Sequence, residues 1–274
     1  MWFLAICLAL SLAGSGIPIN TRIIGGWECE KNSRPWQAFV SLTYENDTYD
    51  CGGVLVHPQW VLTAAHCNGE NYEVWLGLYN LPLDVAKGQH ARVSAKFPHP
   101  LYMPEKSTYR KQSRLANLIM EDRIFQRDES HDLMLLRLEK PVQLTDSVKV
   151  LDLPTREAPV GSTCSASGWG LNKPDEEFIA LKMQCVELTL LSNDVCAHAY
   201  WSHKVTDFML CAGNMEGGKD VCRGDSGGPL ICDGMFQGIT SLIGWPCAKP
   251  KQPSVFVRIF SYVDWIRGTM AKNS

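Results

Sequence analysis

Two short motifs near opposite ends of this chain demand a fold that brings them together. One is Gly224-Asp225-Ser226-Gly227-Gly228-Pro229 and the other is Thr63-Ala64-Ala65-His66-Cys67. A serine hydroxyl is a poor nucleophile at neutral pH, so a glycine-rich turn that exposes Ser226 is useful only beside a base, and His66 is the candidate. The imidazole needs a carboxylate to orient it, and paired backbone N–H groups must meet an oxyanion as it develops. Asp132 is the candidate acid, because in Ser130-His131-Asp132-Leu133-Met134-Leu135-Leu136-Arg137-Leu138 it opens a strongly apolar, strand-like run. The N–H groups of Gly224 and Ser226 are the candidate oxyanion donors, since small neighbours let the turn aim both at one point. The other histidines, His57, His90, His99, His131, His198 and His203, stand in no comparable setting and are expected in surface or core roles.

A lone histidine or a lone GDSG is a weak signal, whereas both together, with the acid between them, discriminate, because unrelated folds carry the same trio in other orders. In the order histidine, aspartate, serine the chain resembles the trypsin-like serine proteases, and in particular the tissue kallikreins. The resemblance covers nearly all of residues 23–274, through Gly26-Trp27-Glu28-Cys29-Glu30, Pro35-Trp36-Gln37, Cys51-Gly52-Gly53-Val54-Leu55, Gly168-Trp169-Gly170 and Pro229-Leu230-Ile231-Cys232. It implies an all-β fold of two packed antiparallel six-stranded barrels with a C-terminal helix, His66 and Asp132 coming from the first barrel and Ser226 from the second. The patterning agrees: short apolar or alternating runs recur at 37–42, 53–56, 60–65, 133–138, 183–188, 229–232, 238–242 and 254–259, and helical spacing is clear only at Tyr262, Val263, Trp265 and Ile266.

Residues 2–13 are almost uninterruptedly apolar and are followed by Gly14, Ser15 and Gly16, which reads as a secretion signal over 1–16. The stretch is too short to span a bilayer, and a secreted, extracellular protein free of the membrane is expected. Export agrees with the cysteines. The chain has eleven, and Cys7 lies in the signal, leaving an even ten for disulfides. Spacing alone does not choose among pairings; the resemblance implies Cys29 with Cys185, Cys51 with Cys67, Cys164 with Cys232, Cys196 with Cys211, and Cys222 with Cys247. No Cys-x-x-Cys pair occurs and the cysteines are spread along the chain, so neither a metal nor another cofactor is expected.

Residues 17–22 end in Arg22, ahead of Ile23-Ile24-Gly25-Gly26. The resemblance implies a zymogen: a cut after Arg22 frees the ammonium of Ile23, which inserts and pairs with Asp225, while residues 23–274 form the protease domain. Physically, a buried carboxylate needs a partner, and supplying one late can order the pocket. The mild acidity, 26 Lys and Arg against 29 Asp and Glu for a net charge of −3, argues against nucleic acid or an anionic membrane as the main partner. Protein or peptide substrates, kininogens among them, and serine protease inhibitors are the implied partners of a monomer. The sequon Asn46-Asp47-Thr48 makes Asn46 a candidate glycosylation site.

The chain departs from its relatives at three places. Between Pro98 and Asp132 lies a segment longer than the extended kallikrein loop, with Lys106, Arg110, Lys111 and Arg114 followed by Leu115, Leu118 and Ile119 at helical spacing. Lengthened loops here also resemble those of kallikrein-like toxins from venomous mammals. The resemblance implies Asp220 as the base of the specificity pocket, selecting Arg or Lys, with Ser241, Leu242, Ile243 and Ser254 as further substrate-binding residues. Where relatives read Ser-Trp-Gly, however, this chain reads Ser241-Leu242-Ile243, and the branched Ile243 narrows the mouth that glycine leaves open. Arg223 adds positive charge at the same mouth. The expected function is a secreted trypsin-type endopeptidase cleaving after Arg or Lys. The alternatives left open are a protease of shifted specificity and a toxin-like or binding homologue with little activity.

Overall fold

The structure, a computed structural model, describes residues 23–103, 127–171, 173 and 179–274. The signal, Arg22 and the segment carrying Lys106, Arg110, Lys111, Arg114, Leu115, Leu118 and Ile119 lie outside the described residues.

After the two-residue strand β1 (Trp27–Glu28), six strands form a closed antiparallel barrel: β2 (Gln37–Tyr44), β3 (Asp47–His57), β4 (Trp60–Thr63), β5 (Glu70–Leu76), β6 (Gln89–Pro98) and β7 (Met134–Leu138), in the order β2-β3-β4-β7-β6-β5. The period-2 pattern drives the closure. In β2 the residues Ala38, Val40 and Leu42 point into the barrel and meet Val54, Leu62, Val74 and Leu135 in one continuous core. Fully burying each such side chain contributes roughly 1.5–3 kcal/mol. The β2–β3 hairpin turns through Glu45 and Asn46, both at positive φ (50° and 72°), as a two-residue turn of matching twist requires. Asn46 therefore stands exposed at a hairpin tip.

The second barrel is built from β8 (Thr163–Gly168), β9 (Gln184–Leu191), β10 (Met209–Gly213), β11 (Pro229–Cys232), β12 (Met235–Leu242) and β13 (Ser254–Arg258). The order is β9-β10-β13-β12-β11-β8, closed by a β8–β9 pairing, with β1 added on the outer edge of β9. Ile23, Val186, Leu188, Leu210, Leu230 and Phe256 fill its interior.

Four of these strands, β5, β6, β8 and β10, escape the apolar-run pattern. β8 is made of small and polar residues, Thr-Cys-Ser-Ala-Ser-Gly, so it carries little hydrophobic signal, and β6 presents only half-buried residues on its inward face. Two short helices accompany the expected C-terminal one. α1 (Leu81–Asp84) is one turn with a proline near its start, and α2 (Asn193–Ala199) is anchored by Cys196. The C-terminal helix α3 (Val263–Lys272) buries Ile266 and packs, with Tyr262 and Trp265, against the first barrel's core.

Five disulfides cross-link the fold: Cys29–Cys185, Cys51–Cys67, Cys164–Cys232, Cys196–Cys211 and Cys222–Cys247. They are the pairs that the resemblance implies. Cys51–Cys67 fastens the residue after His66 to β3, and Cys222–Cys247 joins the chain before Ser226 to the chain after Ile243.

Candidate active site

His66 follows β4 by one tight turn, in which the N–H of Cys67 donates to the carbonyl of Ala64. Asp132 stands two residues before β7, the strand paired to β4, so barrel register alone brings the two side by side. One carboxylate oxygen of Asp132, Oδ1, accepts the backbone N–H of His66 at 2.8 Å, and Oδ2 lies 2.7 Å from its ring Nδ1. The Asp132 side chain is 3% exposed and that of His66 36%, which leaves the far side of the imidazole facing the cleft. Burial pushes the Asp132 carboxyl up. The neighbouring His66 charge and hydrogen bonds from His66 and Ser241 outweigh it and hold the group below its ordinary 3.8. Burial likewise pushes the His66 imidazolium down, but the Asp132 charge and hydrogen bond lift it above its ordinary 6.5.

Ser226 comes from the second barrel, at the end of a turn closed by Asp225 N–H to Cys222 carbonyl at 3.0 Å. Its carbonyl accepts the N–H of Gly52 in β3 at 2.7 Å, which ties the serine's backbone to the barrel that carries His66. Gly224 has φ +92°, a conformation L side chains rarely adopt, so the turn requires glycine there. Among the described residues no acceptor takes the N–H of Gly224 or of Ser226. His66 and Ser226 line one cleft of about 410 Å³, with Leu42, Tyr49, Asp50 and Asn68.

Asp225, beside the serine, is 1% exposed and points the other way. Its Oδ1 accepts the N–H of Gly170 at 2.8 Å and its Oδ2 that of Cys222 at 2.9 Å. A Cβ on Gly170 would stand 2.5 Å from that carboxylate, and one on Gly168 2.2 Å, so the Gly168-Trp169-Gly170 motif is a cradle for Asp225. Burial pushes the carboxyl up to about 6 despite the two hydrogen bonds. The Ile23 side chain is wholly buried in the second barrel's core.

Asp220 is 1% exposed. It accepts the Ser254 hydroxyl at 2.7 Å, the Val221 N–H at 2.9 Å and the Ala248 N–H at 3.3 Å. Burial pushes it up to about 7, with the Asp225 charge adding to the rise and the hydrogen bonds opposing it. Ile243 is half-buried against Leu171 and the Cys222–Cys247 bridge, and Leu242 packs on the cluster of Tyr200 and Met209.

Two of the expected substrate-binding residues have committed hydroxyls: that of Ser241 donates to Asp132 Oδ2 at 2.6 Å, and that of Ser254, fully buried, donates to Asp220. A package behind Asp132 is also invisible in sequence: His131 stacks on His99 at 4.9 Å, and its Nδ1 is hydrogen-bonded with the Tyr262 hydroxyl at 2.9 Å. Burial, with His131 beside it, holds His99 near 4, and burial lowers His131 as well.

The fold and this arrangement define a trypsin-like serine protease. The family model described as Trypsin matches residues 23–266, and the chain belongs to that family. Among curated proteins it is similar to kallikrein-2 of Homo sapiens, at 53% identity over 275 residues covering 100% of both chains. It is also similar to glandular kallikrein of Sus scrofa, at 51% over 258 residues covering 93% of this chain and 99% of that one. Among solved structures, neuropsin, a serine protease expressed in the limbic system of mouse brain, superposes with a TM-score of 0.74 at 39% identity, covering 89% of this chain and 98% of the other. The protein is a kallikrein-type serine endopeptidase, a hydrolase whose family acts on protein substrates and engages inhibitors. No helix among the described residues is long and apolar enough to cross a membrane.

Proposed function

We propose that Ser226 attacks the scissile carbonyl while His66 takes its proton and later returns it to the leaving amine. Asp132 orients His66 and stabilises the imidazolium, and the N–H groups of Gly224 and Ser226 receive the oxyanion. The observation that carries this reading is the two-point hold of Asp132 on His66, at 2.8 and 2.7 Å, with the free side of His66 and Ser226 in one cleft. Only a neutral imidazole can accept the proton, and the hydrogen bond at Nδ1 leaves Nε2 to do so. A fluorophosphonate probe should label the trypsin-treated protein and fail on Ser226→Ala and His66→Ala; equal labelling of Ser226→Ala refutes the assignment.

We further infer that the protein is exported through the signal over 1–16 and made as a zymogen opened after Arg22. On this reading it acts extracellularly as a monomer and cuts after Arg or Lys, with kinin release from kininogen-like substrates within its scope. The buried carboxyl of Asp220, held by Val221 and Ala248 next to the two cysteines of the Cys222–Cys247 bridge, supports cation selection, and the exposed hairpin tip at Asn46 supports glycosylation. A second reading, shifted specificity, is favoured by Ile243 alone, which packs against the Cys222–Cys247 wall where a smaller residue would leave room.

A further inference from the structure

Two exposed side chains from separate chain segments, joined nearby by the Cys222–Cys247 bridge, meet face to face. The guanidinium carbon of Arg223 lies 3.9 Å from the centre of the Trp245 ring. Arg223 directly precedes Gly224, whereas Trp245 belongs to the chain that runs from Ile243 to Cys247. The Arg223 backbone is tied down, its carbonyl accepting the Leu171 N–H at 2.8 Å, and its side chain is exposed. Trp245 is 46% exposed, and the Arg223 guanidinium lies over its ring face. On the same residue Lys249 donates its ammonium to the Trp245 carbonyl at 3.1 Å, so a second exposed cation is gathered nearby.

A guanidinium stacked on an indole keeps all its N–H donors in plane with their edge open, and much of its rotamer freedom is already spent. Such a group is prepared for a carboxylate, which it can take with two parallel hydrogen bonds. Next to the oxyanion turn, an arginine side chain reaches roughly 7 Å, about two residues of extended peptide.

We propose that Arg223, held on Trp245 with Lys249 nearby, is a carboxylate receptor that selects substrates bearing Asp or Glu within about two residues of the scissile bond. This rests on the reading of Gly224 and Ser226 as the reaction centre. Peptides with a basic residue at the same position are disfavoured by the same charge. The receptor adds a second determinant to the pocket, so cleavage sites pairing a cation in the Asp220 pocket with a flanking acid are preferred over polybasic ones.

The test uses the trypsin-treated full chain carrying Ser226→Ala, titrated with arginyl peptides in which a glutamate is walked through the two positions on each side of the scissile bond, against glutamine controls. At one position glutamate should bind about fivefold tighter than glutamine, near the upper end for an exposed pair because the guanidinium is preordered. Arg223→Gln should erase that difference, Arg223→Lys should keep part of it, and Trp245→Ala should weaken it while leaving the charge in place. Added salt should shrink it. Equal binding of glutamate and glutamine at all four positions, or a preference that survives Arg223→Gln, overturns the proposal. Binding does not need the serine hydroxyl, so an unreactive parent protein would sink the catalytic reading while this outcome stayed readable.

Discussion

Ser241 donates its hydroxyl to Asp132 at 2.6 Å, on the same Oδ2 that holds the His66 ring at 2.7 Å. The second barrel, through the last residues of β12, thus takes part in holding the carboxylate that grips His66 of the first. Hydrogen bonds to a charged group contribute roughly 1.5–3 kcal/mol each, so the contact is large enough to matter.

Ser241→Ala should lower kcat/KM by about tenfold and reduce unfolding stability by about 1–3 kcal/mol, because a buried carboxylate loses one of three donors. Steady-state kinetics and thermal melts read both effects. An unaltered kcat/KM would show that the backbone N–H and ring of His66 suffice.

Activity should fall with pH as His66 takes up a proton. Since folding raises this group above 6.5, the acid limb of kcat/KM is expected above that value, with about a tenfold loss per unit further down. The stability it contributes has the opposite sense. The folded state binds that proton more tightly, so the stabilisation is complete below pH 6.5 and is lost as pH rises through the raised value. Asp132 works the other way: its depressed value contributes stability above 3.8 that is lost as pH falls through the lower folded value. An acid limb that does not move in Asp132→Asn would contradict the pairing.

Activation should be visible as a pH-dependent stabilisation. In the uncut chain folding raises Asp225 from 3.8 to about 6, so its contribution is present below 3.8 and lost as pH rises through about 6, a swing of up to about 3 kcal/mol. On the proposed zymogen reading, an ammonium released at Ile23 would remove that loss by keeping the carboxylate charged. Trypsin treatment should therefore raise Tm at pH 7.5 much more than at pH 4, and Arg22→Gln should show no gain. A gain equal at both pH values would point away from Asp225.

Specificity sets Asp220 against Ile243. Leaving a buried acid without its partner costs about 2–5 kcal/mol, whereas a methyl or two of overlap costs about 1–3 kcal/mol where the wall can yield. Arginyl preference should survive in weakened form, and Ile243→Gly should raise kcat/KM on arginyl substrates by about tenfold. Because Asp220 sits at about 7 when empty, arginyl KM should rise as pH falls below that value. Unchanged arginyl cleavage in Ile243→Gly, with small apolar residues preferred by the parent, would remove Asp220 from the pocket's base.

Chemistry that resides in residue type and order is legible without a structure. His66, Asp132 and Ser226 announce themselves as candidates because nucleophile, base and acid each need one particular functional group, and β2 shows a strand's period of two while β7 and β13 read as short apolar runs. What the linear chain hides is anything set by packing across barrels. Nothing near Ser241 says that its hydroxyl turns to an acid 109 residues away, and nothing in Thr163–Gly168 reads as a strand until β9 and β11 flank it. Gly170 looks like any turn glycine until Asp225 arrives against it, and Trp245 like any exposed indole until Arg223 covers its face. A residue's chemistry is local, but its partner is chosen by the closure of two barrels around distant chain segments, which only the tertiary structure decides.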